Sequence, residues 1–190
     1  WAVAIELLHN ASLVHDDICD DDQLRRDEPS LWAAFGRPLA ICFGDWLIGK
    51  SFELTANAQA NTGAPLTALL AKTMSDLSAG QAAEFIGDAL PDCATYLSIV
   101  GGKMTPLFMA ALDGAFLVGD SLRGDDIEAC RKMFEHIGFA YQIANDLDNH
   151  HALKAGAQTG DLLRGAPNAV YIIYRAQLSD EKRKVFDNKS

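Results

Sequence analysis

Five aspartates fall within seven positions, Asp16, Asp17, Asp20, Asp21 and Asp22, and two adjacent arginines, Arg25 and Arg26, follow at once. On a helix, Asp16 and Asp20 are four apart and share a face with Asp17 beside them, a spacing at which like charges repel. Acidic runs are often no more than solvated faces. This one comes directly after a strongly apolar stretch and is preceded by His15, which puts it at the rim of a buried region. Carboxylate oxygens suit Mg²⁺, which takes one or two protein carboxylates and fills its octahedron with water and phosphate oxygens. Guanidinium groups take phosphate bidentately. Carboxylates, magnesium and arginines together make a diphosphate clamp.

The elements that must carry this clamp read as helices. The chain has 190 residues, 49% of them hydrophobic, and a formal charge of −10 from 26 acidic and 16 basic side chains. That length suits one domain, and the acidic balance argues against a general nucleic-acid binder. Helical periodicity predicts a first helix ending near Asp22, a second over Trp32–Ala60 with an irregular start at Gly36-Arg37-Pro38, and a third over Leu66–Gly87. Pro91, Gly101/Gly102 and Gly119 are expected to punctuate further helices. Asp125–Asn149 should be a long helix, Ala155–Ala166 a glycine-rich connection, and Asn168–Gln177 a buried helix. No strand–helix alternation or Gly-rich phosphate loop supports a Rossmann or P-loop fold. The cysteines Cys19, Cys42, Cys93 and Cys130 share no CxxC spacing, which suits a reduced, cytoplasmic protein. The apolar stretch Met104–Gly119 is interrupted by Pro106, Asp113 and Gly114 and is expected to be a buried helix, not a membrane span. Trp1 reads as already inside a helix, so residues 1–190 are expected to form a single domain lacking its first and last helices.

The run from Leu7 to Asp20 with Leu24-Arg25-Arg26 resembles the first aspartate-rich motif of the trans-polyprenyl diphosphate synthases. Four further segments resemble the family in the same order: Phe43-Gly44-Asp45-Trp46-Leu47; Gly80-Gln81-Ala82-Ala83-Glu84, with glutamate for the family's aspartate; Lys103-Met104-Thr105-Pro106-Leu107-Phe108; and Phe139 to Asp146, which bears the second aspartate-rich motif. The resemblance implies an all-α bundle of the isoprenoid-synthase type with a central substrate cavity. It also implies a Mg²⁺-dependent homodimeric prenyltransferase that joins an allylic prenyl diphosphate to isopentenyl diphosphate. Asp16 and Asp20 would hold Mg²⁺, with Asp17 supporting them. Arg25 would hold the allylic diphosphate and Arg26 the isopentenyl diphosphate, with Lys103, Thr105 and Gln142 completing the allylic side. Ala11 and Ser12, small residues about one turn before Asp16, would leave room for a product of geranylgeranyl length or longer.

The second motif departs from the family pattern. Asn145-Asp146-Leu147-Asp148-Asn149 stands where the family has DDxxD, so Asn145 and Asp146 are its candidate metal ligands, the first through an uncharged amide oxygen. Ala157 and Ala166 occupy positions where the family has lysines, and Asp27-Glu28-Pro29 replaces Gly-Lys-Pro. Two other readings remain at this point. One is a terpene cyclase of the same fold, since Asn145-Asp146 partly matches the start of the cyclases' metal motif. The other is a non-catalytic regulatory subunit of a prenyl diphosphate synthase.

Overall fold

The computed structural model describes residues 1–86, 90–119, 124–154 and 165–188. Among these, eight helices and one short ribbon occur in chain order: α1 (Ala2–Cys19), β1 (Leu24–Arg25), β2 (Glu28–Pro29), α2 (Leu31–Phe35), α3 (Arg37–Thr62), α4 (Leu66–Ile86), α5 (Cys93–Val118), α6 (Gly124–Lys154), α7 (Ala169–Ala176) and α8 (Asp180–Asp187). The all-α expectation holds. No helix among the described residues is long and apolar enough to cross a membrane.

Local chemistry sets most boundaries. Helix α1 ends three residues before the expected Asp22, because Asp21 adopts a left-handed conformation at φ 59°. The irregular start foreseen at Gly36 is a true break, where φ 86° separates α2 from α3 and Pro38 opens the second helix. Gly63, also left-handed, closes α3. The carboxylate of Asp92 accepts from the Thr95 backbone N–H at the start of α5, and the amide oxygen of Asn168 accepts from Val170 N–H at the start of α7. The ribbon is a feature the helical reading did not contain. Leu24 pairs with Pro29 and Arg25 with Glu28, and the two linking residues, Arg26 and Asp27, both have positive φ (55° and 67°), as a two-residue primed turn requires.

Packing runs through a chain of neighbours: α1 on α3, α3 on α4, α4 on α5, and α5 on α6, with α7 against α5 and α6. The Ser51 hydroxyl of α3 donates to the buried Ala4 carbonyl of α1, and the Thr55 hydroxyl donates back to the Ser51 carbonyl. At the start of α1, the Trp1 indole N–H donates to the Ala110 and Ala111 carbonyls of α5, and its ring fills the space that a side chain at Gly114 would need. Tyr96, Val100, Ala169 and Ile172 form a buried cluster joining α5 to α7, with Met104 and Phe139 packed on it.

The expected interruption at Gly101/Gly102 does not occur, and α5 runs unbroken through both glycines and Pro106. The crossing with α4 explains them. A Cβ on Gly80 would lie 2.2 Å from the Gly102 carbonyl carbon and oxygen, so the two helices touch backbone to backbone. Pro106 has no N–H to offer the carbonyl four residues back, which is that of Gly102. The Gly80 backbone packs against that same carbonyl, which a Cβ at Gly80 would approach to 2.2 Å.

Candidate functional site

The Gly80–Gly102 crossing fixes the geometry beyond it. One turn along α4, Glu84 meets Lys103, the next residue of α5, with Oε2 2.5 Å from Nζ. Lys103 also faces α1, its Nζ 4.0 Å from Asp16 Oδ1. Burial alone would depress the ammonium's pKa, but the charges of Asp16 and Glu84 overcome it and the net shift is upward. Lys103 is therefore a fixed positive charge beside the first aspartate cluster.

Arg25 reaches back from the ribbon to the same helix, α1. Its Nε and Nη2 both donate to Asp17 Oδ1, at 2.8 and 2.5 Å. This hydrogen bond raises the guanidinium's pKa, and the charges of Asp17, Asp16 and Asp22 add to it. Asp17 and Asp20 are buried while Asp16 is about one-third exposed. The run thus divides its labour: Asp17 anchors an arginine, Asp21 pairs with Arg37, and Asp16 and Asp20 are the two that stand four apart by Lys103. Arg25 and Arg26 together line a polar cavity of about 300 Å³ with His9, Leu13, Asp22, Leu24 and Tyr141. Sequence reasoning passed over His9 and Tyr141. His9, seven residues before Asp16 and so on nearly the same side of α1, was the signal that could have been used.

Not every expected residue joins these groups. Thr105 sits two residues beyond Lys103, hence far round the helix, and lines a separate cavity of about 500 Å³ between α4 and α5 with Thr73, Gly80, Gly101 and Met109. Ala11 is fully buried on the α1 face that carries Ala4 and Leu8. The Ser12 hydroxyl donates to the His9 carbonyl within the same helix. Neither residue lines either cavity. Gln142 is engaged inside α6, its Nε2 donating to Asp146 Oδ1 at 2.9 Å. Asp146 is buried, and its Oδ2 accepts from the Tyr96 hydroxyl at 2.6 Å and from the Ala169 backbone N–H at 2.7 Å. Asn145 lies one residue before it on α6, half-buried. Ala157, at the position of the family's first lysine, lies outside the described residues.

The donor set at the first cluster fits magnesium of the phosphate-bridging kind. Among the described residues no three His, Cys, Asp or Glu side chains gather closely enough to hold a metal by themselves. Asp16 and Asp20 would supply two carboxylates, the number such a site takes from protein when water and phosphate oxygens complete it.

Known proteins resemble this chain over nearly its whole length. Residues 1–189 match the polyprenyl synthetase family. A short chain isoprenyl diphosphate synthase of Methanocaldococcus jannaschii is 29% identical over 187 residues, covering 96% of this chain and 57% of that protein. The crystal structure of geranylgeranyl pyrophosphate synthetase from Pyrococcus horikoshii superposes with a TM-score of 0.78 at 30% identity, over 97% of this chain and 58% of that one. A polyprenyl synthase from Caulobacter crescentus, solved with calcium and isoprenyl diphosphate, gives 0.78 at 25% identity, over 97% and 56%. The chain thus spans little more than half the length of these relatives.

Proposed function

From a chain that belongs to the polyprenyl synthetase family, we propose a Mg²⁺-dependent prenyltransferase that ionises an allylic prenyl diphosphate and joins it to isopentenyl diphosphate. The observation that carries this reading is that neighbouring carboxylates of α1 hold two cations, Asp16 lying 4.0 Å from the Lys103 ammonium and Asp17 bonded to the Arg25 guanidinium. Ionising an allylic C–O bond builds negative charge on the departing diphosphate, and preorganised cations lower that barrier. Lys103 is held in place by Glu84 and cannot swing away, so it needs no reorganisation when the charge develops. Arg25 commits two of its five N–H donors to Asp17, and this orients the rest of the guanidinium for phosphate oxygens. Arg26 and His9 offer donors to the second diphosphate in the 300 Å³ cavity. Asp16 and Asp20 would hold magnesium, which supplies Lewis acidity at the diphosphate oxygens.

The protein acts, on this reading, as a soluble cytoplasmic homodimer. Support for self-association comes from α3, where Leu39, Phe43 and Trp46 are exposed along one face and the two aromatic rings stack at 5.8 Å. The test is incubation of the intact protein with Mg²⁺ and farnesyl or geranylgeranyl diphosphate, with and without labelled isopentenyl diphosphate. Label in a lengthened prenyl chain is the expected result. A cyclic hydrocarbon or alcohol formed without isopentenyl diphosphate would replace this reading with a cyclase. No turnover of any substrate would overturn both.

A further inference from the structure

The second aspartate segment is built for a different task from the first. Asp146 is 2% exposed. Its Oδ1 takes a hydrogen bond from Gln142, its Oδ2 takes one from Tyr96 of α5 and one from the Ala169 N–H that opens α7, and its own carbonyl takes one from Asn168. An ionised carboxylate offers about four lone-pair sites, and three are filled by donors from three helices. Its charge already has a counterpart in the positive N-terminal end of α7. A magnesium ion bonded at about 2.1 Å would have to compete with these three donors for a side chain that is almost wholly buried. Its neighbours on the same helix face, Asn145 and Asn149, are neutral amides and bring no charge to offset that cost. Asp16 is the contrast, one-third exposed.

We propose that Asp146 is not a metal ligand but the clasp that docks the start of α7 onto α5 and α6, so that divalent cations are held by Asp16 and Asp20 of the first cluster. The inference rests on the metal-dependent reading above and separates from it experimentally. Mn²⁺ binding to the intact protein, in the presence of inorganic diphosphate, is counted by electron paramagnetic resonance for wild type, Asp16→Asn, Asp146→Asn and Tyr96→Phe, alongside thermal melting. Even outer-shell partners of a metal are worth about tenfold or more in affinity. Asp146→Asn should therefore lower the melting temperature yet keep the number of bound ions and hold affinity within about twofold, while Asp16→Asn loses tenfold or more. A folded Asp146→Asn that binds one ion fewer, or tenfold more weakly, overturns the proposal. Should Asp146→Asn fail to fold, Tyr96→Phe carries the comparison: lower melting with unchanged Mn²⁺ binding supports the clasp, and unchanged melting overturns it. Indistinguishable Mn²⁺ binding by wild type and Asp16→Asn would instead sink the reading of the first cluster.

Discussion

Replacing Gly80 by alanine pits two effects of opposite sign against each other. In an unobstructed helix interior, alanine is favoured over glycine by about 0.8–1.0 kcal/mol. At Gly80 the new methyl would stand 2.2 Å from the Gly102 carbonyl carbon and oxygen and 2.8 Å from the Lys103 nitrogen. All three are backbone atoms, so no side-chain rotation relieves the clash. Ordinary contact begins at 3.4 Å, so α4 and α5 must part by about 1.2 Å, the difference between 3.4 and 2.2. Overpacking of this kind costs about 1–3 kcal/mol. Set against the propensity gain, the net is a destabilisation of about 1 kcal/mol, or roughly 2–4 °C for a domain of this size. Urea unfolding of three variants measures it. Gly80→Ala should be the least stable. Gly102→Ala should lose less, because its Cβ meets only Gly80 backbone, with the Cα nearest at 3.0 Å. Gly49→Ala, in α3 with nothing within 4 Å of its Cβ, should gain up to about 1 kcal/mol. The separation also draws Glu84 away from Lys103, so Gly80→Ala should bind Mg²⁺ with inorganic diphosphate more weakly than Gly102→Ala does. A Gly80→Ala protein as stable as wild type would refute the backbone-contact account.

Other perturbations act on single contacts. Tyr96→Phe leaves Asp146 short of a buried donor and should cost about 1–3 kcal/mol by urea unfolding. It should also change the alkaline limb of the stability curve. Burial, then the hydrogen bond to Asp146, raise the Tyr96 pKa above its ordinary 10.0. The stability this contributes is complete below pH 10 and is lost as pH climbs towards the folded value, by up to about 1.4 kcal/mol per pH unit. Stability measured above pH 10 should therefore fall less steeply in Tyr96→Phe than in wild type. Arg25→Lys keeps the charge but cannot donate twice to Asp17 from a planar fork, so diphosphate affinity measured calorimetrically should fall while the fold persists. Asp27→Gly relieves a left-handed non-glycine residue in the ribbon turn and should stabilise the protein by up to about 1 kcal/mol in thermal melts; a loss would mean that the Asp27 side chain makes a contact worth more than the strain.

The helices were legible in the sequence where their signals are local, at the irregular start around Gly36 and after Asn168, although the helix expected to be buried there hides only Ala169 and Ile172 and leaves Ile173 and Tyr174 exposed. The misreading of Gly101 and Gly102 involves a partner distant in the chain. Gly101 and Gly102 look like helix breakers until Gly80 is placed against them, because a glycine required by a neighbouring backbone is indistinguishable in sequence from one required by a turn. The ribbon escaped notice because its turn is made by Arg26 and Asp27 rather than by asparagine and glycine. The first aspartate cluster was legible for a related reason in reverse. Its charges are adjacent in the chain, its arginines come within ten residues, and only Lys103 and Glu84 had to be brought from elsewhere.

Asp146 marks where such reading stops. A carboxylate on a polar helix face has the same spacing whether it awaits a cation or receives N–H and O–H donors from its neighbours. The supply of positive charge decides between them, and here it comes from the Ala169 N–H and the Tyr96 hydroxyl, 23 and 50 residues away. The flanking amides then become intelligible. Without a metal to neutralise them, aspartates at 145 and 149 would set two more negative charges within one turn of a buried anion, where like charges repel most. Asparagine at both positions keeps the face polar while removing that repulsion. Asn145→Asp and Asn149→Asp should therefore each destabilise the protein in metal-free buffer, and Mn²⁺ should restore the loss only if the added carboxylate recruits an ion. Thermal melts with and without Mn²⁺ separate the outcomes, and a metal-free gain in stability from either substitution would contradict the charge argument.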